Sequence, residues 1–359
     1  MSDVSEHLPT VDLDSAPLVP RPSPVLSRAG AVAGEGVDAA VAAHYGNPMR
    51  EQRLLVEGLA AVDLSHRGVV TVSGPDRLSW LNSITTQMIT GLEPRTSMET
   101  LVLSPKGHIE HDLHLVDDGQ TTWVTVEPGT AGALVSWLES MRFMLRVEVL
   151  DVSADYAVIG EPVRAETSVG EPPAWTDPWP LIVGDTAAYS AVADPARHPG
   201  RERPWRELIV PRVELQTALG DRPLAGMWAA EALRVAAWRP RLGFETDQRT
   251  IPHEVDWLRT AVHLHKGCYR GQETVARVHN LGRPPRRLVF LHLDGSGHIL
   301  PGRGAEVEAA GRVVGRVTSV ARHHELGPIA LAVIKRNTPP DAVCTAAGVS
   351  AGQEEIVPS

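Results

Sequence analysis

The chain has 359 residues, 43% hydrophobic and 22% charged, with a formal net charge of -10. This length suits two or three domains of about 100–200 residues with a buried core. The acidic balance argues against general affinity for nucleic acid or for an acidic membrane, either of which needs a basic footprint.

Cys268 and Cys344 are the only cysteines and make no disulfide framework. No run reaches the about 18 apolar residues of a membrane span. The acidic residues 1–13 lack the apolar segment of a signal peptide. A cytoplasmic location is therefore expected.

Residues 1–40 are rich in Pro, Ser, Ala and acids. They read as a disordered tail, too poor in apolar surface to offset the entropy of ordering. A folded region is expected over 41–283. Residues 49–56 predict a helix and 69–72 a strand. Pro75 suits the first turn of a helix with Leu78, Leu81 and Ile84 on its apolar face.

Residues 98–103, 109–116 and 121–126 read as successive antiparallel strands, punctuated by Gly107 and Gly119. Leu134, Leu138, Met141 and Leu145 recur at helical spacing. Strand character returns over 147–152 and 156–159. The stretch 161–207 is heavy in Pro and Trp and reads as loop-rich, with 181–183 and 187–192 as candidate strands. Pro223 opens an alanine-rich helix that ends before Pro240 and carries Glu231, Leu233 and Arg234.

The Pro284-Pro285 pair marks a boundary. Beyond it, short strands over 288–293, 305–309, 312–320 and 329–333 with glycine turns predict a small β-barrel over 284–348. Residues 349–359 read as a tail. Strands and helices without regular βαβ alternation place the chain in the α+β class.

The run Lys266-Gly267-Cys268-Tyr269-Arg270-Gly271-Gln272-Glu273 concentrates reactive chemistry. Nearby cations favour thiolate over thiol. Gly267 and Gly271 let the backbone bend or approach a ligand closely. A helix over 271–278 would put Cys268 just ahead of an N-terminus whose free N–H groups and dipole favour an anion. Glu273 would organise the loop by accepting backbone N–H bonds. Between 259 and 287, seven cations (Arg259, Lys266, Arg270, Arg277, Arg283, Arg286 and Arg287) face Glu273 alone, a stripe suited to an anionic ligand. An iron–sulfur cluster usually needs four cysteines. A cluster touching Cys268 would thus be shared with a partner or in transit. Cys344 reads as a packing residue.

This octapeptide resembles the signature of YgfZ-type folate-binding proteins, Lys-Gly-Cys-aromatic-x-Gly-Gln-Glu, and meets every defined position. The resemblance extends over most of 48–345. Glu231-Ala232-Leu233-Arg234 and the stretch from Gly243 through Pro252 to Glu254 follow the pattern shared with glycine-cleavage T-protein aminomethyltransferases. Leu64-Ser65, Val72-Ser73-Gly74 and residues 76–81 match the opening of that fold. Residues 311–319 and 329–332 resemble its C-terminal barrel.

The resemblance implies an aminomethyltransferase-like multidomain fold around a central folate pocket. It also implies tetrahydrofolate or a derivative as cofactor, and a role in assembling or repairing iron–sulfur enzymes, with those proteins as partners. Cys268 would be the reactive group, with Lys266 and Arg270 holding it charged. In the cleavage enzymes that position is normally acidic.

Those enzymes carry a catalytic aspartate in a Gly-x-Ile-x-Asp-Asp-Leu pattern. Here the matching stretch is Gly107-His108-Ile109-Glu110-His111-Asp112-Leu113. If the catalytic carboxylate belongs where His111 sits, the transferase chemistry is lost. Strand alternation puts Ile109, His111 and Leu113 on one face and Glu110, Asp112 and His114 on the other, unless a one-residue bulge exchanges them. A folate-dependent aminomethyltransferase or demethylase acting on a small amine is the alternative function. For folate itself, Asp63, Glu254, His111, Asp112, Arg270 and Glu273 are candidate polar contacts. Arg234 would either meet a carboxylate or pair with Glu231. Tyr269 would either stack on a flat ring or pack in the core.

Overall fold

A computed structural model describes residues 21–297 and 299–359. Two five-stranded sheets and a closed six-stranded barrel carry the fold. The first sheet runs Ser97–Leu103, Ile109–Asp117, Thr121–Val126, Gly68–Ser73, Glu148–Asp151, all antiparallel. One face packs on the helices Arg77–Ile84 and Ala131–Met141, where Leu113 and Leu115 meet Trp80, Leu81, Leu134 and Leu138. The other face, through Val69 and Val116, meets the second sheet at Val62, Val158 and Ile209. That second sheet runs Ala174–Thr176, Arg206–Pro211, Tyr156–Glu161, Ala61–Asp63, Leu224–Ala225.

The barrel closes in the order Arg286–Leu293, Gly327–Lys335, Arg312–His323, Glu306–Ala309, Cys344–Ala346, Val349–Glu355. The fold class is therefore α+β with a C-terminal barrel. The expected tail at 349–359 is corrected: Val349–Glu355 pairs with both Arg286–Leu293 and Cys344–Ala346 and completes the closure. A barrel missing that strand would leave two open edges. Of the expected tail at 1–40, residues 1–20 lie outside the described residues. The rest is folded: Val25 is fully buried, and Ser23 donates its N–H to Ala40.

Residues 161–207 depart from expectation in detail. The strands there are Ala174–Thr176 and Arg206–Pro211, while 181–183 and 187–192 run without strand pairing. Tyr189 and Ser190 give their N–H groups to the Asp256 carboxylate instead of to a neighbouring strand. The alanine-rich helix is shorter than the two prolines suggest, Met227–Ala236, because Leu224–Ala225 adds to the second sheet in parallel with Ala61–Val62.

Candidate functional site

The strand Ile109–Asp117 organises the site. Leu103 pairs with Ile109 and Val102 with His111, which leaves Glu110 as a bulge. Beyond the bulge the alternation is regular. His111 sits opposite Val102 and faces the helices, while Asp112 sits opposite Leu101 and faces the second sheet. Asp112 and His114 thus share a face, as expected, but Glu110 leaves it and pairs with Arg270 at 2.8 Å. His111 as a cofactor contact is corrected. It is buried in the helix-facing core, its Nδ1 has no protein partner, and burial pushes its pKa down to about 4.

Asp112 and His114 open into a cleft between the two sheets, walled on one side by the helix Met227–Ala236. Leu64, Trp175, Trp205, Met227, Ala230 and Pro240 supply apolar walls. Five arginines (Arg67, Arg203, Arg234, Arg239 and Arg241) face five carboxylates (Asp112, Glu127, Asp177, Glu207 and Glu231). They pair with one another. Arg241 binds Glu127 at 2.8 Å, Arg67 binds the other Glu127 oxygen at 2.8 Å, and Arg203 and Arg239 share Asp177 at 3.0 and 3.2 Å. Arg234 takes the structural alternative, bound to Glu231 at 2.8 Å and Glu245 at 2.9 Å, yet it also lines the cleft. Ser319 on the barrel accepts from Arg234, tying the barrel to the cleft wall.

Several polar atoms of this lining have no protein partner: Asp112 Oδ1, His66 Nδ1, Arg203 Nε and Arg239 Nη1. Buried polar atoms are normally satisfied, so this set is ready for a ligand rich in donors and acceptors. A pterin is such a group, and its flat ring suits the Trp175 and Trp205 walls. The donor chemistry fits a pterin, while the cleft as it stands is closed to one. The cavity measures about 60 Å³, and roughly 150 Å³ is what admits benzene. A ring could enter once a lining side chain swings aside. Arg203, with Asp177 as its ion partner and its guanidinium 4.4 Å from the Trp205 ring, has the fewest ties among the arginines.

Glu99, Asp112 and His114 place ligand atoms within 4.8 Å of one another. Glu99 is already filled, however. Its oxygens accept from Arg239, Trp257 and Thr260.

The octapeptide lies elsewhere: no residue from 266 to 273 lines this cleft. Cys268 is exposed. The cations expected to flank its sulfur are engaged in other ways. Lys266 is 5% exposed, and its ammonium donates to the carbonyls of Asn82, Thr85 (2.8 Å) and Gln87 (2.7 Å) around the C-terminal end of the helix Arg77–Ile84. Such an end attracts cations. Burial pulls the Lys266 pKa down to about 8.

Gly271 has φ of +84°, and a Cβ there would meet Ser104 O at 2.6 Å. It caps the helix Gln272–Leu281. Gly267, by contrast, has open space around its Cα. Tyr269 packs in the core, 5.5 Å from the Lys266 ammonium, and burial raises its phenol. Glu273 does not organise the loop. It is exposed and pairs with Arg277 one turn on, at 2.8 Å.

Glu254 is buried and bound by Arg286 at 2.8 Å, a clamp between body and barrel outside the cleft. Asp63 accepts from the Ser65 N–H and is likewise absent from the cleft lining. Of the sequence-derived folate contacts, the structure brings Asp112 and Arg234 together and separates the rest. Sequence reasoning missed Arg239 and Arg241 as a pair. Their signal is Trp238-Arg239-Pro240-Arg241, in which Trp238 holds φ of +57° and both arginines line the cleft.

Residues 23–160 match the GCVT N-terminal domain and residues 286–354 the glycine cleavage T-protein C-terminal barrel domain. A provisionally named chloroplastic transferase of Arabidopsis thaliana is 26% identical over 73% of this chain, which spans only 62% of that protein. An aminomethyltransferase of Streptomyces coelicolor is 28% identical, over 81% of this chain and 82% of its own length. The homolog in Mycosarcoma maydis of the mitochondrial iron–sulfur cluster assembly factor IBA57 is 24% identical over 63% of this chain and 55% of its own length. The crystal structure of the glycine cleavage system aminomethyltransferase T from Bartonella henselae superposes with a TM-score of 0.70 at 19% identity, covering 93% of this chain and 95% of that one.

Proposed function

We propose, from a chain that carries both the N-terminal and the barrel domain of glycine cleavage T-protein type, a tetrahydrofolate-binding accessory protein that supports assembly or repair of iron–sulfur enzymes. The observation that carries this reading is the separation of two features. One is a buried, arginine-rich cleft with unpaired polar atoms suited to a pterin. The other is Cys268, exposed on a loop outside that cleft and anchored by Lys266. A thiol on the outer surface can meet a partner protein without disturbing a ligand in the cleft. The similarity to an iron–sulfur cluster assembly factor homolog supports the same reading. Among the described residues no helix is long and apolar enough to cross a membrane.

The test has two arms. Calorimetry with 5-formyltetrahydrofolate examines the cleft, and no binding at high micromolar ligand defeats the folate reading. Complementation with Cys268→Ala in a deletion strain examines the thiol. Unchanged iron–sulfur enzyme activity under oxidative stress defeats the accessory role.

One observation favours a second reading, a folate-dependent aminomethyltransferase or demethylase. Loss of that chemistry would follow from His111 in the catalytic position, but Asp112 is the residue that faces the cleft, and it keeps its carboxylate. Turnover of tetrahydrofolate with a small methylamine donor, abolished by Asp112→Asn, would establish it.

A further inference from the structure

Two residues past Asp112 on the same strand, His114 occupies the floor of the cleft and has no role in the reading above. Its ring lies flat on Trp175, with centroids 3.6 Å apart and planes 5° from parallel. Nε2 is 3.2 Å from Asp112 Oδ2, and Nδ1 is 3.1 Å from Glu207 Oε2. Thr125 Oγ1 donates to the same Glu207 oxygen. The imidazole therefore bridges two buried carboxylates while its face rests on an indole.

Other charges approach it. Arg67 Nη2 lies 3.2 Å from Nδ1 and could donate there only to an unprotonated nitrogen. Arg67 has acceptors of its own, Glu127 at 2.8 Å and Glu207 at 3.4 Å. Asp112 and Glu207, by contrast, each need a proton from the ring, so the doubly protonated form satisfies more of the site. Glu99 sits directly across the strand pair, its oxygens already held by Arg239, Trp257 and Thr260. Asp177 is held by Arg203 and Arg239. Burial alone would neutralise the ring, but Glu207 and Asp112 outweigh it and push the His114 pKa up to about 9.

With Oδ2 beside His114, Asp112 is left with Oδ1, a buried carboxylate oxygen without a protein partner. We propose that His114 is a positioning residue that holds Asp112 Oδ2 through Nε2 and leaves Oδ1 turned to the cleft, so that the cleft selects a heterocycle presenting an N–H donor at that point. This rests on the reading that the cleft binds a reduced folate.

Two measurements on the full chain test it. In the free protein, imidazole nitrogen NMR should show His114 protonated at both nitrogens at pH 7.5, and Asp112→Asn should shift its titration downward. A neutral ring at pH 7.5 overturns the proposal, with no ligand involved. Calorimetry with tetrahydrofolate between pH 5.5 and 8.5 should give a nearly flat affinity for the unaltered protein. His114→Gln should bind about tenfold more weakly over the whole range, the loss of one charge-assisted hydrogen bond that fixes the Asp112 carboxylate. An affinity of His114→Gln equal to that of the unaltered protein also overturns it. If the unaltered protein binds no folate, the folate reading fails on its own, and the imidazole signal still decides what His114 does. If His114→Gln does not fold, the same signal in the unaltered chain decides.

Discussion

Replacing Lys266 with Met tests whether the octapeptide is anchored as the structure describes. The ammonium makes three bonds to backbone carbonyls, and a hydrogen bond to a charged group contributes about 1.5–3 kcal/mol. Against their sum stands the cost of holding a cation away from water, several kcal/mol. Met keeps the buried stem but leaves the carbonyls of Asn82, Thr85 and Gln87 unpaired. The net loss expected is about 3 kcal/mol, read as a lower urea midpoint at unchanged slope. The loop carrying Cys268 should loosen as well, so iodoacetamide should label Cys268 at a changed rate under native conditions. A loss below about 1 kcal/mol, the scale of one ordinary hydrogen bond, together with unchanged labelling would refute the reasoning. Lys266 would then be a surface lysine in effect, and the loop would be held by something else.

Asp112→Asn should weaken binding of a reduced folate about tenfold or more, the value of a charge-assisted bond, and calorimetry reads it; equal affinity would remove Asp112 from the site. His111→Phe concerns acid stability. His111 has a folded pKa of about 4 against about 6.5 unfolded, so the unfolded state binds the extra proton below pH 6.5 and stability falls as pH drops from there towards 4. The variant should lose about 1.6 kcal/mol less than the unaltered protein between pH 6.5 and 5, and urea melts at the two pH values check this. Arg203→Ala should enlarge the cleft and speed folate association in stopped-flow fluorescence; an unchanged rate would show that another side chain limits entry. Arg286→Met should free the buried Glu254 carboxylate and uncouple the barrel from the body, splitting the thermal transition; a single transition at the original temperature would count against that clamp.

The sequence by itself determined the local features. Alternation and glycine turns marked the strands Ile109–Asp117 and Arg286–Leu293, and helical spacing marked Ala131–Met141. The octapeptide motif singled out Cys268, which is exposed as an accessible thiol must be. These features depend on neighbours a few residues apart, whose sterics and periodicity are written in the chain. The tertiary structure decided the rest. The bulge at Glu110 took that carboxylate off the face shared by Asp112 and His114 and gave it to Arg270, and a bulge arises from the register of two strands together; packing of the sheets decided that this face, and not that of His111, meets the cleft. Lys266 was expected to serve the sulfur two residues on, but found three carbonyls from 179 to 184 residues away. The cleft gathers Arg67, His114, Trp175, Glu207 and Arg241 from five separate segments. Burial then matched each charge to a partner, because an unpaired charge out of water costs far more than any local preference can offset.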